Sequence, residues 1–335
     1  MRIGLVGLGF IGKAHFAAYL NIPKAQVAAV CIRDKQKALR AIEQMSISAR
    51  PDIYTNYDEL LMDDSIDVID LCVPTFLHEE YIVKAARAGK HIICEKPLTL
   101  TKESADRILE IVEKEKVKLF VGHILRFWPE YSLLKDYKEK GLLENVEIIH
   151  AKRLGQVPFW SRWFQLPEKS GGALYDLHMH EIDYIHYLLG DVKSVYAVGS
   201  QNKYGAWNHV MTTLTFTNGA KAFMEASHKM PETFPFTMSL RLQAKGETID
   251  FYSASGKNIE DTEGGDRRFL RYSADKVELL TVDSRDPFEI ELQYFLDCIR
   301  KGQENEIVPL EDVLYTIRLM EAIECSLVGG RKITL

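Results

Sequence analysis

The first dozen residues, Met1 to Gly12, join a short apolar strand, Arg2-Ile3-Gly4-Leu5-Val6, to the turn Gly7-Leu8-Gly9-Phe10-Ile11-Gly12. That spacing lets a backbone wrap a pyrophosphate. The first glycine permits the tight turn, the second lets the main chain approach the phosphates without a Cβ in the way, and the third lets the next helix pack close to the strand. The free N–H groups at the start of that helix then face the anion. Any tight strand-to-helix turn can use GxGxxG, so the context carries the weight. An amphipathic stretch follows (Ile11, His15, Phe16, Tyr19, Leu20), and a second strand is predicted at Val27 to Ile32. The stretch predicts dinucleotide binding, with Gly7, Gly9, Phe10, Ile11 and Gly12 at the phosphates; a purely structural turn is the alternative.

The next hundred residues repeat the pattern. Helical stretches are predicted at Lys35–Met45, Tyr57–Leu61, Glu79–Ala88 and Lys102–Glu115, the third stopped by Gly89. They alternate with short apolar runs at Asp52–Tyr54, Val68–Val73, His91–Cys94 and Lys118–Val121. Short apolar runs joined by crossover-length helices imply a parallel, doubly wound sheet covered on both faces. Ligands of such sheets sit beyond the carboxyl ends of the strands, so the glycine turn, Pro74-Thr75 and Glu95-Lys96-Pro97 are expected to line one crevice.

Beyond Gly122 the pattern changes. A helix over Glu130–Lys140 leads into Val146–Arg153, and period-two strands then dominate: Ser194–Val198, Val210–Thr217, Lys221–Ser227, Met238–Ala244 and Glu247–Tyr252. Asn218-Gly219 signals a two-residue hairpin. The expected division is a dinucleotide-binding domain over 1–122 and an α+β domain over 123–335 with a large, mostly antiparallel, open-faced sheet. Ala254 to Asp266 reads as an exposed loop, and helices over Glu289–Arg300 and Leu310–Leu327 close the chain.

Composition excludes several alternatives. With 42 basic and 48 acidic residues the net charge is -6, which gives no electrostatic case for nucleic acid or an anionic membrane surface. The five cysteines are scattered without a CxxC pair, arguing against a disulfide framework and a zinc site. A cytoplasmic protein is expected, since the chain starts directly on the strand and holds no apolar run of spanning length.

Several motifs together resemble a family. These are Gly7-x-Gly9-x-x-Gly12, Pro74-Thr75 followed by His78, Ala88-Gly89-Lys90-His91 running into Cys94-Glu95-Lys96-Pro97, and Gly171-Gly172-Ala173-Leu174-Tyr175-Asp176 with His180 and Asp183. They are similar to those of the Gfo/Idh/MocA family, the glucose-fructose oxidoreductases and inositol dehydrogenases. The resemblance spans essentially the whole chain. It implies a Rossmann domain plus an antiparallel sheet domain and NAD(P)-linked chemistry on sugars, cyclitols or related alcohols. It also implies a homodimer or homotetramer paired through the open sheet faces. His178 departs from the family, where a glycine usually stands.

The residues support this chemistry on their own terms. Hydride transfer at a carbinol carbon requires that the oxygen lose or gain a proton at nearly the same time. Lys96, at a strand end, is placed to bind that oxygen, and a cis bond to Pro97 suits so tight a turn. Asp176 and His180 stand four apart, so both project from one face if Asp176 begins a helix. His180 is then the candidate acid/base and Asp176 orients substrate or imidazole, with Gly171 and Gly172 allowing close approach to the cofactor. The bland alternatives are a solvated Lys96, an N-capping Asp176 and an interior His180. No metal is expected, because His178 and His180 point to opposite sides of a helix. Phe159 to Phe164, including Trp163, is either a sugar-stacking wall or core, and Arg126 either faces the ligands or forms a structural salt bridge.

Cofactor choice turns on the end of the second strand. A carboxylate about twenty residues past the glycine turn normally holds the adenosine ribose. Here Cys31-Ile32-Arg33 puts Ile32 at that place and a cation after it. Arg33 pairing with a 2′-phosphate favours NADP(H); Asp34 turning back as the acid, or a solvated Arg33, are the alternatives. The expectation is an NAD(P)-dependent oxidoreductase acting on a secondary alcohol or ketone of a polyol, sugar or cyclitol. Two rivals stand beside it, a redox-neutral NAD-dependent glycosidase and a non-catalytic cofactor sensor.

Overall fold

The structure, a computed structural model, describes residues 1–45, 50–158, 161–255 and 265–335. In chain order the elements begin with β1 (Arg2–Val6), α1 (Phe10–Asn21), β2 (Gln26–Cys31), α2 (Lys35–Gln44), β3 (Asp52–Tyr54) and α3 (Tyr57–Leu61). β4 (Val68–Leu71), α4 (His78–Arg87), β5 (His91–Glu95), α5 (Lys102–Glu115) and β6 (Leu119–Gly122) continue the alternation. Then come α6 (Pro129–Glu139), β7 (Ile148–Leu154), the short α7 (Pro167–Ser170), α8 (Met179–Leu189), β8 (Val192–Gln201), β9 (Trp207–Phe216) and β10 (Lys221–Ser227). β11 (Thr237–Ala244), β12 (Glu247–Ala254), β13 (Asp266–Tyr272), β14 (Val277–Leu279), α9 (Pro287–Lys301), α10 (Leu310–Gly329) and β15 (Ile333–Thr334) complete it.

Contacts group these into two compact units, Met1–Phe127 with Arg285–Val313, and Trp128–Ser284 with Leu314–Leu335. This differs from a single cut at 122, because residues 285–313 return to the first unit. The reason is the apolar face of α9: Leu292, Phe295 and Leu296 are buried, Phe295 lies 5.0 Å from Phe120, and Phe288 lies 5.2 Å from His15.

The first unit holds a parallel six-stranded sheet in the order β3-β2-β1-β4-β5-β6. The strand interiors are buried on both faces, as uninterrupted apolar runs require. From β1 the chain builds outward to β3, then returns to lay β4 on the other side of β1. The strand order therefore reverses between β1 and β4, where open α/β sheets bind ligands.

The second unit holds a nine-stranded sheet, β14-β13-β12-β11-β7-β10-β9-β8-β15, antiparallel at every pairing except β7 with β10. Its inward residues alternate with solvent-facing ones, and Tyr131 on α6 packs edge-on against Phe251 of β12 at 5.5 Å. On the solvent side Tyr196, Val198, Met211 and Phe223 are exposed. β13 and β14 lie in sequence that gives little strand signal. In Asp-Arg-Arg-Phe-Leu-Arg-Tyr, next to the short edge strand β14, only Phe269 is buried. Most of the loop expected at Ala254–Asp266, including Gly256 and Gly264, lies outside the described residues, as do Phe159 and Trp160. No described helix is long and apolar enough to cross a membrane.

Candidate active site

In the first unit, the glycine turn reaches from β1 into α1. Gly7 has φ +93°, and a Cβ there would meet the Cys72 carbonyl oxygen at 2.3 Å; a Cβ on Gly12 would meet the Gly7 carbonyl oxygen at 2.2 Å. Both glycines are thus demanded by the protein's own packing. A Cβ on Gly9 would meet nothing within 4 Å, so its missing side chain leaves room on the solvent side. α1 starts there with no side-chain cap and no acidic residue in its first turn, leaving its N–H groups for an anion. Phe10 and Ile11 are half-buried on that first turn. These residues fit the pyrophosphate of a dinucleotide.

The neighbouring strand ends complete this edge of the sheet. Pro74 is half-buried and Thr75 opens a short 3₁₀ turn after β4. Lys96 is half-buried directly after β5, and the Lys96–Pro97 bond is cis. His78 lies behind the turn: its Nδ1 is 2.9 Å from the Pro97 carbonyl and its Nε2 2.9 Å from that of Val73. It is 1% exposed, so the imidazole ties the Lys96–Pro97 turn to the end of β4. Burial lowers its pKa, opposed by its hydrogen bonds to these backbone carbonyls. Arg126 is likewise internal: its guanidinium donates to Asp312 at 2.6 Å and to the Ile307 carbonyl at 2.7 Å. That is the structural salt bridge of the two readings open for it.

Ile32 is half-buried and its N–H donates to the Tyr54 carbonyl, while Arg33 is exposed. Asp34 caps α2, its Oδ1 accepting from the N–H groups of Gln36 and Lys37 at 3.0 and 3.1 Å. A carboxylate committed to a helix N-terminus has less freedom to turn toward a ribose.

In the second unit, residues Leu174–His178 form a π-helical turn that runs into α8. Asp176 therefore sits inside a widened turn and does not cap a helix, a geometry frequent at functional sites. From Gly172 to His186 every residue is buried except Asp176 and His180, which are both half-buried. Two polar side chains thus reach the surface from an otherwise interior segment. Gly171 and Gly172 have φ of +69° and +68°; a Cβ on the first would strike Tyr175 and one on the second the Trp207 carbonyl oxygen at 2.8 Å. Close packing within this unit therefore constrains both positions to glycine.

His178 is completely buried, with Nε2 2.8 Å from Thr212 Oγ1 of β9. It is a packed histidine, and burial pushes its pKa down to about 3. Trp163 stacks on Phe164 with ring centroids 3.9 Å apart. The structure adds a residue that the motifs do not single out: His228, just past β10, lies with Nε2 3.1 Å from Asp176 Oδ2 and is 4% exposed. Nearby, Arg153 of β7 grips Glu181 of α8 through three hydrogen bonds of 2.9–3.1 Å, fixing α8 against the sheet. Thr316 donates to Asp183 at 3.1 Å, anchoring the same helix to α10.

Comparison with known proteins agrees with these two halves. The family described as "Oxidoreductase family, NAD-binding Rossmann fold" matches residues 1–123, and "GFO/IDH/MocA C-terminal domain" matches residues 131–249. The chain is similar to myo-inositol 2-dehydrogenase of Thermotoga maritima, 27% identical over all of this chain and 98% of that one. It is also similar to D-xylose 1-dehydrogenase (NADP(+)) 2 of Haloferax volcanii, 26% identical over the full length of both. Among solved structures, levoglucosan dehydrogenase in complex with NADH and levoglucosan superposes with a TM-score of 0.81 at 23% identity, covering 100% of this chain and 99% of that one.

Proposed function

Because the chain belongs to the Gfo/Idh/MocA family of oxidoreductases, we propose that it is an NAD(P)-dependent dehydrogenase acting on a secondary alcohol, or the matching ketone, of a sugar, cyclitol or related polyol. The observation that carries this reading is the isolation of Asp176 and His180 as the only partly exposed residues in a buried segment. Bound nicotinamide would accept or give the hydride. Gly7, Gly9, Phe10, Ile11 and Gly12 would hold the cofactor's pyrophosphate, with Pro74, Thr75 and the end of β5 along its path. His78 supports that path from behind.

In this proposal Lys96 binds the substrate oxygen and favours its deprotonated form, His180 takes the hydroxyl proton, and Asp176 orients the substrate hydroxyls or the imidazole. Trp163 offers an apolar surface to the sugar ring. The relatives' names support the substrate class, since inositol, xylose and levoglucosan are all polyhydroxylated rings. The exposed apolar residues on the solvent side of the nine-stranded sheet suit a second copy of the chain, as a homodimer or homotetramer; sedimentation at micromolar concentration tests this.

The test of function is cofactor fluorescence while sugars and cyclitols are titrated into NADH- and NADPH-loaded protein, followed by turnover with each ligand that quenches. Net oxidation or reduction of the cofactor by a cyclic polyol is the expected result. Turnover of a nitrophenyl glycoside with no net cofactor change would overturn it.

A further inference from the structure

Four elements of the first unit bring ionisable side chains together in its interior. His15 of α1 lies between two carboxylates, with Nδ1 2.8 Å from Asp70 Oδ2 on β4 and Nε2 3.1 Å from Glu95 Oε1 at the end of β5. Tyr19, one turn further along α1, donates to the same Asp70 oxygen at 2.8 Å. Cys72 borders the imidazole, its Sγ 3.4 Å from Nδ1. The fourth element, α9, contributes Glu291, which is fully buried.

Glu291 stands out within this group. Neither of its carboxyl oxygens has a hydrogen-bond partner among the described residues. Yet one of them lies within 4.8 Å of both His15 and the Glu95 carboxylate. The space between the two glutamates is kept by Gly122 of β6, where a Cβ would meet Glu95 Oε1 at 2.9 Å and Glu291 Oε2 at 3.6 Å.

The charges can then be counted. With both ring nitrogens of His15 facing carboxylate oxygens, the ring satisfies both only as an imidazolium. Burial opposes that charge, but Asp70 and Cys72 outweigh it and hold the His15 pKa well above its ordinary value. The imidazolium balances one of the two carboxylates it touches. A third carboxylate in the same dry space would carry a charge with no partner, at a cost of several kcal/mol.

We propose that Glu291 is held as an un-ionised carboxylic acid at neutral pH, so that the Glu95–Glu291 pair carries a single negative charge and anchors the end of β5. Burial first, and then repulsion from Glu95, push its carboxyl well above the carboxylate range, in agreement. The anchoring matters because Glu95 Oε2 accepts the backbone N–H of Lys96 at 3.2 Å. Glu291 is thus a positioning residue acting through Glu95 on the turn that carries Lys96. That last step rests on the role proposed for Lys96, whereas the protonation does not. Ionising Glu291 at alkaline pH sets a second charge against Glu95 and loosens the strand end.

Infrared difference spectroscopy of the full chain in D2O at neutral pD, wild type against Glu291→Gln, tests the protonation without substrate or turnover. The carbonyl stretch of an un-ionised acid, present in the wild type and missing from the variant, is the expected result. Stability supplies a second readout. A carboxyl with a raised folded pKa favours the folded state fully below the unfolded carboxyl value and loses that advantage as pH rises toward the folded one. The wild-type folding constant should therefore fall about tenfold per pH unit relative to the variant in that window. Glu291→Met, of similar length and without polar oxygens, serves for both comparisons if the glutamine variant does not fold.

Hydrogen exchange across residues 92–98, corrected for its intrinsic pH dependence, should accelerate at alkaline pH in the wild type alone. A wild-type spectrum with no acid band, a band that survives in both variants, or a stoichiometric divalent cation in the purified protein would overturn the protonation. Exchange that does not distinguish wild type from variant would overturn the positioning role.

Discussion

His228 holds its Nε2 3.1 Å from Oδ2 of Asp176, and the imidazole is almost wholly buried while the carboxylate is half-exposed. One carboxylate oxygen is thereby tied to His228, just past β10. Hydrogen bonds to charged groups contribute about 1.5–3 kcal/mol, equivalent to roughly 10- to 100-fold in rate where they orient a reacting group. His228→Leu is expected to lower kcat by that range and leave cofactor affinity intact, and His228→Gln to recover part of the loss. Steady-state kinetics of both variants check this; unchanged kcat in His228→Leu would make the pair purely structural.

Lys96→Ala should lower kcat by orders of magnitude with little change in cofactor Kd. On the proposed role the ammonium binds charge that develops mainly in the transition state, so its loss falls on turnover more than on binding. Equilibrium binding together with single-turnover kinetics separates the two. Near-normal turnover would remove Lys96 from the mechanism.

For His180→Asn the informative measurement is the pH profile of kcat/KM in the oxidising direction. A base that must be neutral to accept the alcohol proton gives an acid limb, along which activity falls as pH drops through its pKa. The variant should be slower and lack that limb. Retention of the wild-type limb would assign the proton to another group.

His178 predicts an acid sensitivity of the fold itself. Buried against Thr212, it stays neutral down to about 3, whereas in the unfolded chain it takes up a proton below its ordinary value of about 6.5. Its contribution is therefore fully present above about pH 6.5 and lost as pH falls toward 3, at about 1.4 kcal/mol per pH unit. Denaturant unfolding of His178→Gln between pH 7 and pH 4, on the order of that window, should show a flatter acid limb than the wild type.

Arg33 is exposed beyond β2 while Asp34 is occupied at the cap of α2, and on the proposed reading the arginine pairs with an adenosine 2′-phosphate. NADPH is then expected to bind more tightly than NADH, and Arg33→Ala to weaken NADPH selectively by about 1.5–3 kcal/mol. Titration calorimetry with both cofactors gives the answer directly. Tighter binding of NADH, with little effect of the substitution, would reverse the preference.

Much of the architecture was legible because periodicity is a local signal. The sequence pattern and the structure give the same boundaries for Tyr57–Leu61 and Asp52–Tyr54, and the glycine turn marks both β1 and α1. What escaped reading depends on partners distant in the chain. β13 is a strand through its pairing with β12 and β14, and its charged side chains give no apolar alternation. The π-helical turn at Leu174–His178 comes after two left-handed glycines, of which Gly171 lies against Tyr175 and Gly172 against Trp207 at the start of β9, and spacing alone reads it as an ordinary helix start. Asp176 and His180 were visible as a pair four apart, but His228 lies at the end of another strand, and only the fold carries it to Asp176. Glu291 looked like one acidic residue among others in α9, since nothing in its neighbours announces complete burial.

The division of the first unit between residues 1–127 and 285–313 bears on how the protein is made. During vectorial synthesis β6 leaves the ribosome long before α9 exists, so the surfaces of α1 and β6 that Phe288 and Phe295 cover remain wet while eight of the nine strands of the second sheet, β7 to β14, are being threaded out. The amino-terminal half is therefore begun first and finished late, reversing the usual order in which domains mature along a nascent chain. A polypeptide stopped before Arg285 would display that uncovered apolar face to chaperones and proteases.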